Sequence, residues 1–109
     1  LATEPTDERG WVARGTAHLA TDHKKALADY EKALALNPRS AQALQGKAMI
    51  LGDSGDDRGA LAAVTVLLEV APDAADGWCG RGALRARSGD RAGARADAEE
   101  ALKLSARAD

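Results

Sequence analysis

The feature that most limits what this chain can fold into is an internal repeat. Shifted back by 34 residues, the stretch from Ala75 to Leu104 lands on an earlier one with its marked residues aligned. Gly55-Asp56 lies under Gly89-Asp90, Ala60 under Ala94, Leu68 under Leu102 and Leu44 under Trp78. A second shift brings Ala26, Ala33, Leu34 and Leu36 into the same columns. Within the last unit, Trp78 and Gly82 lie one helical turn apart. Gly89-Asp90 then breaks the chain, and Ala94, Ala98, Ala101 and Leu102 mark the packing face of a second helix. A single helical pair cannot bury its apolar stripe alone, so a fixed period of this length argues for hairpins stacked on one another. Such a stack is a binding scaffold, and the repeat does not name what it binds.

Read in order, the signals predict six helices. Residues 1–5 carry no periodicity and form a lead-in expected to fray. Thr6 is placed to cap a first helix over about 7–21, with Asp7 and Glu8 in its first turn, where the helix dipole favours acids. Its inner face is Trp11, Arg14-Gly15, His18 and Leu19. Asp22 caps a second helix over about 23–36, facing inward with Ala26, Leu27, Tyr30, Ala33 and Leu34, and Asn37-Pro38 stops it. Ser40 caps a third over about 41–53, with Leu44, Ala48 and Leu51 on one side. The fourth, about 57–70, is the most apolar and ends at Pro72-Asp73; the fifth and sixth cover about 74–88 and 91–106. Connections this short set each helix antiparallel to its neighbour, giving three hairpins.

Composition narrows the function. At 109 residues the chain reads as one domain, residues 1–109. Only 3% of residues are aromatic and none is Phe, so the core must be built from Ala, Leu and Val, which requires close helix approach. A net charge of −2 supplies no basic field, so nucleic acid is not an expected partner. The longest apolar run, Ala60 to Ala71, is interrupted by Thr65 and Glu69 and falls short of the roughly 20 residues a membrane span needs. Cys79 is the single cysteine and cannot form an internal disulfide. No charged-then-apolar leader opens the sequence, and its first residue, Leu1, is consistent with a piece of a longer polypeptide.

With these columns in place, the chain resembles the tetratricopeptide repeat, whose 34-residue pattern is Trp-x2-Leu-Gly-x2-Tyr followed by Ala-x3-Phe, Ala and Pro. The third repeat, about 75–108, matches through Trp78, Gly82, Gly89, Ala94, Ala101 and Leu102. The second, about 41–74, matches through Leu44, Ala48, Leu51, Gly55, Ala60, Leu68 and Pro72. The first, about 8–40, matches through Trp11, Gly15, Ala26, Tyr30, Ala33, Leu34 and Pro38, with one residue deleted near Thr21-Asp22. The resemblance implies an all-α fold: a right-handed α-α superhelix, or solenoid, of three helix-turn-helix hairpins. The small column Gly15, Ala48, Gly82 should face Ala26, Ala60, Ala94, letting the two helices of each hairpin touch backbone to backbone.

One column departs from the family. Where Leu is usual, this chain has Arg14, Lys47 and Arg81. These side chains either snorkel out of the core or pair with the second helix, where Asp29 and Asp97 share a column that holds Ala63 in the middle repeat. The match of Arg with Asp predicts Arg14–Asp29 and Arg81–Asp97 pairs within hairpins.

Catalytic and metal chemistry finds little support, and no enzyme activity, metal or cofactor is expected. His18 reads as a packed helix-face residue, His23 as solvated beside Lys24 and Lys25, and Cys79 as a small half-buried filler. Asp53 to Gly59 superficially has the look of a calcium loop, but Gly55 and Arg58 stand where a ligand and a glycine are needed. Binding is better supported. The resemblance implies a concave surface lined by the first helix of each hairpin: Arg9, Val12, Thr16 and Leu19, then Gln42, Gln45, Met49 and Asp53, then Asp76, Cys79, Ala83 and Arg87. The family's clamp for acidic C-terminal peptides of chaperones needs Lys, Arg and Asn where this chain has Val12, Thr16, Gly46, Asp76 and Gly80, so that ligand class is not expected. Glycines inside first helices, Gly46 and Gly80 among them, lose about 1 kcal/mol each against Ala. Either they form a smooth floor with Ala83 for a partner helix, or they reflect a composition rich in Ala, Gly, Arg and Asp.

The last helix differs from its counterparts: Arg95 replaces Leu27 and Leu61, and Ala98 replaces Tyr30 and Val64, while Leu102 and Leu104 still need cover. Two functions follow. The chain is either an adaptor binding a partner's peptide or helix in its groove, or a structural module that forms homo-oligomers through its last helix or docks on a neighbouring domain.

Overall fold

The structure, a computed structural model, describes residues 4–107. It consists of α1 (Glu8–Leu19), α2 (His23–Leu36), α3 (Ala41–Asp53), α4 (Asp57–Val70), α5 (Ala75–Arg87) and α6 (Arg91–Arg107). Among the described residues there is no strand. The lead-in expected over 1–5 lies mostly outside them, as does residue 108 of the third repeat; Glu4 and Pro5 are non-helical.

Local chemistry sets these boundaries. Asp22, Ser40 and Asp56 each accept the N–H of the residue three on, capping α2, α3 and α4. The cap of α1 is Asp7 rather than Thr6: its carboxylate accepts the Gly10 N–H at 2.9 Å, so α1 starts one residue later than expected. It also ends two residues earlier, at Leu19, because Thr21 and Asp22 both turn back onto the His18 carbonyl. Ala74 offers α5 no side-chain cap, and that helix begins at Ala75 and ends at Arg87.

The turns explain the deleted residue of the first repeat. Gly55 and Gly89 both have φ of +92°, and the next residue's N–H closes the helix end on Leu51 and Arg85, at 2.8 Å in each case. The first hairpin turns through Ala20-Thr21 with no positive φ, so the missing residue is the left-handed one. Gly89→Ala is therefore expected to destabilise the fold by about 1–2 kcal/mol, from the strain of a Cβ at that φ, as read from the midpoint of urea unfolding. The space around Gly89 is open, so sterics add nothing.

Each hairpin packs internally (α1 on α2, α3 on α4, α5 on α6) and stacks on the next through α2–α3 and α4–α5. The core lies at these junctions. One cluster joins Trp11, Val12, Ala26, Tyr30 and Ala33 to Ala43 and Ile50 of the next hairpin; the other joins Leu44, Ala60, Val64 and Leu67 to Leu84. Within hairpins the small columns meet as expected. A Cβ on Gly15 would sit 3.3 Å from the Ala26 carbonyl, and one on Gly82 3.2 Å from that of Ala94.

Two features of the last hairpin depart from the expected packing face. Ala98 and Leu102 are exposed, Leu102 at 70%, although their counterparts Val64 and Leu68 are buried. The reason is positional: this face packs on a following hairpin in the first two repeats, and no described element covers it on α6.

Candidate functional site

The backbones of the first helices approach one another directly, α1 to α3 and α3 to α5, whereas those of α2, α4 and α6 do not come close to one another. The stack is therefore tighter along one side and splayed along the other, which makes the α1/α3/α5 side its inner face. Overall extents of 50 × 31 × 22 Å describe an elongated stack rather than a ball.

Two adjoining hollows run along this face. The one between α1 and α3 is lined by Arg9, Val12, Thr16, Leu19, Gln42, Gln45 and Met49, with Tyr30 and Gly46 beneath them. The one between α3 and α5, about 290 Å³, is lined by Gln45, Met49, Asp53, Asp76, Ala83 and Arg87 over a floor that includes Val64, Leu67 and Leu84. Eleven of the twelve residues expected on this face thus line one hollow or the other.

Cys79 does not. It is exposed rather than half-buried and lines neither hollow. Its counterpart Gln45 stands between two helices, whereas Cys79 is on the far side of α5, where no further first helix among the described residues forms a second wall. Val12 lines the face but is 94% withdrawn from solvent in the core cluster, at 6% exposure. Arg87 is tethered: its guanidinium donates to the Gly52 carbonyl at 3.3 Å and pairs with Asp57 of α4. Asp57 and the capping Asp56 are thereby committed, so the stretch with the look of a calcium loop serves the fold.

The glycines behave differently from one another. Gly46 is buried, and a Cβ there would come within 3.0 Å of three atoms of the Tyr30 ring. It is a seat for Tyr30, not open floor. Gly80, its counterpart one repeat on, has nothing within 4 Å and lines the second hollow. Sequence reading took Tyr30 as core and missed that it also floors the first hollow, where its hydroxyl hydrogen-bonds Thr16 Oγ1 at 3.0 Å.

Behind this face, both expected ion pairs form. Arg14 donates Nε and Nη2 to the two oxygens of Asp29 at 3.2 and 2.9 Å, and Arg81 grips Asp97 in the same bidentate way at 3.0 and 2.9 Å. Each guanidinium also lies over a tryptophan one turn back, Arg14 4.8 Å from the Trp11 ring centre and Arg81 4.9 Å from Trp78. A second partner, one turn on, was not foreseen: His18 Nδ1 reaches Asp29 at 2.9 Å, and Arg85 reaches Asp97 at 3.1 Å. The signal was present, since His18 and Arg85 share a column with Leu51 and the middle repeat has Ala63 in place of the acid. Lys47 takes the other course, reaching Glu31 at the surface at 3.4 Å.

Burial pushes the Asp29 carboxyl up, but the hydrogen bonds and charges of Arg14 and His18 outweigh it and hold the pKa below the ordinary 3.8. The bond to Asp29 raises the Arg14 guanidinium in turn. The unfolded carboxyl titrates at its ordinary value, so the stabilisation is fully present above pH 3.8 and is lost as pH falls through the lower folded value. Acid unfolding followed by circular dichroism is expected to be less steep below pH 3.8 for Asp29→Asn than for the native chain.

Among the described residues, no group of three or more His, Cys, Asp or Glu is arranged to hold a metal ion, and no helix is long and apolar enough to cross a membrane.

Three antiparallel hairpins with small-residue interfaces, stacked in phase to leave a lined inner face, define a helical-repeat solenoid. The chain has the tetratricopeptide-repeat fold, with three repeats. No protein-family profile matches it. A TPR repeat-containing protein of Rhizobium etli is 33% identical over 73 residues, 66% of this chain and 36% of that protein, so the chain spans about a third of that relative's length. The crystal structure of MamA superposes with a TM-score of 0.88 at 20% identity, covering 94% of this chain and 60% of that one. The second TPR of Spaghetti, bound to the HSP90 peptide SRMEEVD, superposes with a TM-score of 0.85 at 19% identity, covering 91% and 93%.

Proposed function

We propose that this chain is a non-enzymatic protein-interaction module, residues 1–109 forming a single domain, that binds a peptide or helix of a partner protein on its inner face. The observation that carries the reading is the continuous pair of hollows along α1, α3 and α5, with exposed Met49 shared by both. A fold neighbour holding a peptide supports the same use of the architecture. The mode differs from an acidic-tail clamp: Val12, Thr16 and Gly80 offer no cation or amide, Gly46 is covered by Tyr30, and Asp76 repels a carboxylate. The test is a pull-down with the native chain and with Met49→Glu, read by mass spectrometry. Partners recovered by the first and lost with the second are expected; partners indifferent to Met49→Glu would move the site elsewhere.

A second reading rests on the uncovered face of α6. Exposed Leu102 and Ala98 form an end that stacks on another copy or a neighbouring domain. Sedimentation separates the two: a concentration-independent monomer favours the groove, and a dimer broken by Leu102→Glu favours the end.

A further inference from the structure

We propose that the hollow between α3 and α5 receives one apolar side chain of a partner peptide that carries lysine or arginine beside it. This rests on the reading of the inner face as a peptide site and specifies what that peptide must contain. The hollow exists because of a substitution between repeats. In the first junction Tyr30 fills the space over Gly46; in the second the same column holds Val64, and the space over Gly80 stays empty. What remains is a recess of about 290 Å³ floored by Val64, Leu67 and Leu84. A dry cavity of about 150 Å³ already takes benzene, so this one accommodates a leucine, methionine or phenylalanine side chain.

The rim fixes the charge of the neighbouring residue. Asp53 and Asp76 line the hollow, both exposed, and neither has an ion pair among the described residues. The cation of this rim, Arg87, is already engaged by Asp57 and the Gly52 carbonyl. The recess therefore presents an apolar floor under a net negative edge, which favours a basic neighbour and repels an acidic one.

The experiment pans a phage library of short random peptides over the full chain and measures the selected sequences as synthetic peptides. Selected peptides are expected to pair a Leu, Met or Phe with Lys or Arg within a turn. Their binding should weaken at least about tenfold with Gly80→Leu, which fills the recess from its open side, and again with Asp53→Lys/Asp76→Lys. Circular dichroism checks that these variants fold, and a Cβ at Gly80 meets no neighbour within 4 Å. Binders that are lost with Met49→Glu but unaffected by both variants would overturn this inference and leave the groove reading standing. A chain that selects no peptide overturns both.

Discussion

Asp97→Ala is expected to destabilise the fold by about 3–5 kcal/mol, the usual result of removing one partner of a buried ion pair. Asp97 is 1% exposed and receives four hydrogen bonds from Arg81 and Arg85. Its loss leaves two guanidinium groups partly withdrawn from water and facing no acceptor. The middle repeat fills the same place with Leu51 and Ala63 in the columns of Arg85 and Asp97, while Lys47, in the column of Arg81, turns outward to Glu31. Arg81→Leu/Arg85→Leu/Asp97→Ala, which removes both stranded guanidinium groups with the carboxylate, should therefore recover a substantial part of the loss, since an apolar replacement of a buried ion-pair group is often close to neutral. Urea unfolding of both variants measures the difference. A loss below about 1 kcal/mol for Asp97→Ala would mean that this carboxylate is not a structural element.

The second large effect separates two glycines that the sequence presents as equivalents. Gly46→Leu is expected to destabilise by roughly 2–3 kcal/mol or more, because its Cβ enters the space of the Tyr30 ring and the ring is held by Thr16 and the core around it. Gly80→Ala is expected to stabilise by about 0.5–1 kcal/mol, because nothing opposes the added methyl and the helix gains propensity. Thermal melts of the two variants should move in opposite directions. The pairing can be tested further with Tyr30→Val, which imitates the second junction. That substitution removes the clash, so Gly46→Leu should be less harmful in the Tyr30→Val background than in the native one.

The repeat itself was legible because period and small columns are local facts: Gly55 and Gly89 mark turns, and Gly15 and Gly82 mark close crossings, wherever the hairpins end up. The Arg–Asp pairs were legible because presence and absence vary together between repeats. What the columns could not show is the difference between neighbours across a junction. Gly46 and Gly80 occupy one column, and only the residue contributed by the preceding hairpin, Tyr30 or Val64, decides which is covered. Likewise, Cys79 sits in the column of Gln45, yet a column says nothing about whether a further helix follows to form the opposite wall. The Asn37 and Ser40 side chains donating to Glu8 at 3.1 Å were equally hidden, since those contacts join the start of α1 to the connection between α2 and α3.

The most direct test of the inner face as the binding surface is an amide NMR titration of the full chain with a peptide selected from the random library. The expected result is a contiguous set of shifts along α1, α3 and α5, centred on Gln45, Met49 and Ala83. Shifts confined to α2 and α4, or to the exposed end of α6 around Leu102, would contradict it.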